Sequence, residues 1–128
     1  MEIGSGAPAD DVTFDNKANA WEWVQQWLRS KERFLCVSAS RSRFLTVDRN
    51  TRVAVAIEHD DSGNLYASSV PALSGTEVQF RCCCSDWVKL DRSMLITRRA
   101  LRHVLRAYVL DEKLSEQVHW LMEEPKAS

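Results

Sequence analysis

The residues of this chain best equipped for chemistry are a run of three thiols, Cys82-Cys83-Cys84 in RCCCSDW, and a fourth at Cys36. Three histidines, His59, His103 and His119, and a carboxylate group, Glu58, Asp60 and Asp61, complete the set. Adjacent cysteines suggest zinc, but strand alternation sends Cys82 and Cys84 to one face and Cys83 to the other, so the three cannot converge on one ion. Structural zinc sites draw ligands roughly two to four residues apart, usually from paired CxxC-like turns, and the sequence has none. A mixed site of Cys36, Cys82 or Cys84 with a histidine is geometrically conceivable. Packing as small apolar groups is the expectation preferred here, with no metal and no cofactor. Thiolate catalysis needs a depressed pKa, and no cysteine stands at an expected helix N-terminus. His103 falls on the basic side of its helix and His59 borders a turn, so no Cys–His pair is signalled and the chain is not expected to be an enzyme.

Glu58, Asp60 and Asp61 cluster at an expected hairpin tip. Paired carboxylates can do acid–base work or hold a divalent cation, but these lack EF-hand spacing and read first as a solvated turn. Arg98, Arg102 and Arg106 recur at i, i+4 and i+8, with Arg99 beside them. From Val78 to Leu110 seven basic residues (Arg81, Lys89, Arg92, Arg98, Arg99, Arg102, Arg106) face two acidic ones, Asp86 and Asp91. That asymmetry suits phosphate, although no aromatic platform or glycine-rich loop accompanies it. A nucleic-acid-binding or adaptor module using the Arg98–Arg106 helix face is therefore the alternative reading. Of five tryptophans, Trp21, Trp27 and Trp120 fit core roles, while Trp23 and Trp87 are expected to be partly exposed, as binding anchors often are.

These groups need a scaffold. With 128 residues the chain is expected to be one domain, and 17 basic against 18 acidic residues give no global field favouring nucleic acid or an anionic membrane. No apolar run reaches transmembrane length, and MEIGSGAPADD lacks the regions of a signal peptide, so a cytoplasmic protein with reduced thiols is expected. Residues 1–12 read as a flexible leader, 13–123 as the domain and 124–128 as a tail. Ala20, Trp21, Val24, Trp27 and Leu28 recur at helical spacing behind an Asp15 or Asn16 cap. Six β-rich runs follow: FLCVSAS, RFLTV, TRVAVAIEH, LYASS, EVQFRCCC and WVKLD. Turns fall at Asp60–Asn64 and Ser74–Thr76. In TRVAVAIEH, Val53, Val55 and Ile57 share one face, and the small Ala54 and Ala56 on the other would let a second layer approach closely. A Thr97-capped helix then carries Leu101, Val104, Leu105 and Tyr108 as its core stripe. The fold class is α+β: an antiparallel sheet of about five to six strands packed with an N-terminal and a C-terminal helix.

The order of features carries a resemblance. A hairpin with Gly63-Asn64-Leu65-Tyr66 precedes Gly75-Thr76, which opens a strand holding Phe80. Next come Leu95-Ile96, a Thr-capped helix ending near Ala107-Tyr108, and Val118-His119-Trp120. Over roughly Trp21 to Leu121 this resembles the first-numbered immunity protein family of bacterial polymorphic toxin systems, often encoded beside deaminase-type toxins. The chain departs from that pattern at Leu114-Ser115-Glu116-Gln117, where a Gly or Pro is expected. The resemblance implies a cytosolic antidote that binds one cognate toxin domain, covers its active site or substrate path and has no chemistry of its own. Against a basic, nucleic-acid-handling toxin cleft, Glu58, Asp60 and Asp61 would stand in for phosphate. Asn64, Tyr66 and Trp87 complete the expected toxin-facing set.

Overall fold

The computed structural model describes residues 1–4, 12–81 and 87–122. In chain order these form β1 (Glu2–Gly4), β2 (Val12–Thr13), α1 (Lys17–Arg29), β3 (Phe34–Ser38), β4 (Phe44–Arg49), β5 (Val53–Asp60) and β6 (Gly63–Ser68). After them come β7 (Glu77–Arg81), β8 (Trp87–Asp91), a 3₁₀ turn at Arg92–Met94, β9 (Ile96–Thr97), α2 (Arg98–Asp111) and β10 (His119–Met122). The class is α+β, with two helices and a large antiparallel sheet.

Local chemistry sets the helix boundaries. The Asn16 side chain accepts from the backbone N–H groups of Ala18 and Asn19, at 2.8 and 3.3 Å, and starts α1. The Thr97 hydroxyl accepts from Ala100 N–H at 3.1 Å and starts α2. Glu112 ends α2 in the left-handed region, at φ 51°.

The sheet runs β10-β6-β5-β4-β3-β1-β2, with β9 paired to the start of β5 and every pairing antiparallel. It has more strands than sequence periodicity predicts, because β1, β2, β9 and β10 are each two to four residues long and too short to show a period. Glu2–Gly4, expected within a flexible leader, pairs with β3 and buries Ile3 completely. The expected run of six neighbouring strands is also broken. After β6 the chain leaves the sheet through Ser69–Thr76, β10 takes the vacated edge, and β7 and β8 form a separate hairpin.

That hairpin is explained by the two apolar faces of the sheet. Ile3, Leu35, Val37, Leu45, Val47, Ala54, Ala56 and Ala67 look one way and are fully buried. They lie under Ala20, Val24 and Trp27 of α1 and Leu101, Val104, Leu105, Tyr108 and Val109 of α2. Each of the larger side chains contributes about 2 kcal/mol by leaving water. Val53, Val55, Ile57 and Tyr66 look the other way, where Phe80, Met94, Leu73, Leu90 and Leu95 roof them in a second, smaller core. The β7–β8 hairpin is that roof. It is pinned by Asp91, whose Oδ1 accepts from the N–H and hydroxyl groups of both Ser74 and Ser93 at 2.6–2.9 Å, while Oδ2 accepts from Gly75 N–H at 2.9 Å. Burial opposes the charge, but these donors outweigh it and hold the carboxyl far below its usual range. Gly75 occupies φ 79°, which favours glycine in that turn.

Candidate functional site

The residues expected to face a toxin fall into three environments. Asp60 and Asp61 stand at the β5–β6 tip, where Asp60 pairs with Gly63 across a tight turn and Gly63 takes φ 132°. Asp60 Oδ1 accepts from the Ser62 hydroxyl at 2.6 Å and from its N–H at 2.8 Å, and these bonds lower the carboxyl pKa. Asp61 is exposed.

Glu58 and Tyr66 are not available there. Glu58 is 3% exposed, with Oε2 accepting from Arg43 Nε at 2.9 Å, and Tyr66 is 7% exposed inside the smaller core. Strand alternation already held this signal: Glu58 shares parity with Ala54 and Ala56, hence points toward the helices, and Tyr66 lies opposite Ile57. Arg43 also donates from Nη1 to the Glu112 carbonyl at 2.7 Å and lies 5.1 Å from the Tyr108 ring centre. Burial, reinforced by the Glu58 carboxylate, pushes the Tyr108 phenol well above its usual value.

Asn64 is exposed, but its side chain is committed. Its Oδ1 can only accept, so His59 Nδ1 donates to it at 2.9 Å, while Nε2 and the Thr46 hydroxyl share a hydrogen bond at 3.0 Å. Phe44 stacks on the imidazole at 4.6 Å. Sequence reading missed this hydroxyl–imidazole–amide chain because Thr46 comes from another strand. The order is that of a nucleophile, base and orienting group. None of the three lines the cleft around Arg49 and Trp87, and the chain's visible effect is to tie the tip to β4 through the imidazole.

Trp87 belongs elsewhere. It is 63% exposed and lines a cleft of about 840 Å³ together with Asn50 and Thr51 of the β4–β5 turn, at the end of β5 remote from Asp60. The walls come from the C-terminal end of α1 (Arg29, Ser30, Lys31, Glu32), from Arg33, from β7 and β8 (Gln79, Phe80, Arg81, Trp87) and from Arg98 at the start of α2. Its inner wall is Arg49, only 4% exposed. Arg49 donates to the carbonyls of Trp27, Leu28, Ser30 and Glu32 at 2.7–3.1 Å, capping the end of α1, and stacks 3.8 Å from the Trp27 ring centre. Arg33 donates to the Arg49 and Arg81 carbonyls and lies 3.5 Å from Asp48, joining the hairpin to the sheet. Burial, then the charge of Arg98, lowers the pKa of Arg49.

Of the helix stripe expected to bind nucleic acid, only Arg98 reaches this cleft; Arg102 leans over the Trp21 ring at 5.8 Å. Cys82, Cys83 and Cys84 lie outside the described residues. Cys36 is half-buried on β3, His103 half-buried on α2 and His119 exposed on β10. Among the described residues no three His, Cys, Asp or Glu side chains gather as a metal site. No helix among them is long and apolar enough to cross a membrane. No protein-family model matches this chain, and no curated protein matches it.

Proposed function

We propose that this chain is an immunity protein: a cytoplasmic inhibitor that binds one cognate bacterial toxin domain, of the nucleic-acid deaminase type, and covers its active site without catalysis or a cofactor of its own. One observation carries the reading. Two of the stretches behind the resemblance are neighbours in the sheet, with β6 pairing Tyr66 to Leu121 and Ala67 to Trp120 of β10. Trp120 Nε1 donates to the Ser115 carbonyl at 3.0 Å, so the Leu114–Gln117 link reaches the closing strand without the expected Gly or Pro. Asp60 and Asp61 are the solvent-facing carboxylates of the tip and would meet a basic toxin cleft, with Glu58, Asn64 and Tyr66 as the frame beneath them.

Co-expression with a toxin domain encoded in the adjoining reading frame tests this. Growth rescue and co-elution are expected; growth arrest despite abundant soluble protein would end the reading. Asp60→Lys with Asp61→Lys should slow association severalfold, and unchanged kinetics would remove the tip from the interface. A polyanion-binding role is the second reading, favoured by the charge of the Trp87 cleft.

A further inference from the structure

The Trp87 cleft concentrates charge that the chain as a whole lacks. Among the described residues, six that line it are basic (Arg29, Lys31, Arg33, Arg49, Arg81, Arg98) and one is acidic, Glu32, against 17 and 18 in the whole chain. Two of the six are committed to backbone carbonyls, Arg49 wholly and Arg33 in part. Arg29, Lys31, Arg81 and Arg98 are in no ion pair among the described residues. Arg98 opens α2, which has no acidic residue in its first turn, so the cationic end of the helix and its first side chain carry the same sign. Beside these charges stands the exposed indole of Trp87, with the Arg81 guanidinium 6.0 Å from its ring centre.

We infer that this cleft binds the nucleotide unit of single-stranded nucleic acid or of a free nucleotide, with a base stacked on Trp87 and phosphate held by Arg29, Lys31, Arg81 and Arg98. The hollow's volume falls within the roughly 300–1,000 Å³ usual for small-ligand sites. An acidic protein would satisfy the charge but needs apolar area around it. The other exposed large hydrophobic residues among those described, Val12, Val70, Val88 and Met122, do not line the cleft. An exposed indole among cations suits a base and its phosphate, because every base offers a π-face. The inference goes beyond the immunity reading and stands without it.

Fluorescence anisotropy of a labelled short oligothymidylate tests it in about 50 mM and about 200 mM salt, alongside calorimetric titration with AMP. Saturable binding is expected, with the oligomer's affinity falling roughly as the third power of salt when each of the four cations meets one of its phosphates. Trp87→Ala should weaken it about tenfold, and Arg81→Gln and Arg98→Gln should each lower the salt exponent by about 0.7. The melting temperature separates function from folding: Arg98→Gln should hold or raise it by relieving Arg49, while binding falls. AMP displacing the oligomer identifies a mononucleotide site; oligomer binding that AMP does not displace identifies a strand site. The inference is overturned if neither ligand saturates, if any of the three variants binds like the wild type, or if oligoglutamate or inorganic phosphate competes as well as AMP and the oligomer do.

Discussion

Arg43 precedes β4 and Arg49 ends it, and each holds the C-terminal end of a helix, yet the two ends of the strand differ electrically. Arg43 reaches the end of α2 through Glu112 and is matched by the buried carboxylate of Glu58. Arg49 reaches the end of α1 through four carbonyls and bonds no carboxylate among the described residues, with Glu32 acting only at a distance. The Arg43 end is therefore neutralised internally, and its exposed tip is acidic. The Arg49 end retains a cation held by peptide dipoles and the Trp27 ring, with a carboxylate only at a distance, and the other arginines of the cleft have the same sign. One strand thus separates a solvated acidic tip from a cationic cleft, although the chain is nearly neutral.

The sharpest way to break this contrast is Arg49→Met, which keeps the bulk but leaves the end of α1 without donors. We expect a loss of about 3 kcal/mol by urea denaturation, with Arg49→Lys recovering part of it. Asp91→Ala tests the anchoring of the cleft wall and should lose about 2 kcal/mol at neutral pH. Because the folded Asp91 carboxyl lies far below its unfolded value of about 3.9, its contribution is complete above that value and is lost as pH falls toward the folded one. The urea midpoint of the wild type should accordingly fall more steeply with acidification below about pH 4 than that of Asp91→Ala. Glu58→Gln removes the matching charge at the other end. Arg43 is one-third exposed and can be hydrated, so a loss of about 1 kcal/mol is expected, and in a double-mutant cycle with Arg43→Met the two losses should not add. Asp60→Asn with Asp61→Asn should leave the thermal midpoint and oligonucleotide binding unchanged, which would confirm that the tip is electrically separate from the cleft.

Local features of this organisation were legible in the sequence. The Asn16 and Thr97 caps, the α2 core stripe, the Asp60–Asn64 turn and the two-faced β5 each follow from neighbours within a few residues. The helices do approach β5 over Ala54 and Ala56, as their size suggested. What could not be read depends on distance along the chain. Arg49 bonds carbonyls 17–22 residues away, and carbonyls carry no sequence signature. The cleft gathers side chains from Arg29 to Arg98, so Trp87 was grouped with a tip that lies at the opposite end of β5. The misplacement of Glu58 and Tyr66 is different in kind. Their alternation along β5 and β6 is visible in the sequence and already turns Glu58 toward the helices and Tyr66 toward the smaller core.

The unequal cores have a dynamic corollary. The β7–β8 hairpin is fastened by one small apolar cluster, the Asp91 turn and the Arg33 crosslink, while both helices share the larger core. Its amides should exchange with solvent through a partial opening that leaves the helices folded, as a cooperative subunit of its own. The indole-bearing rim would then behave as a latch, releasing whatever occupies the hollow without the domain unfolding.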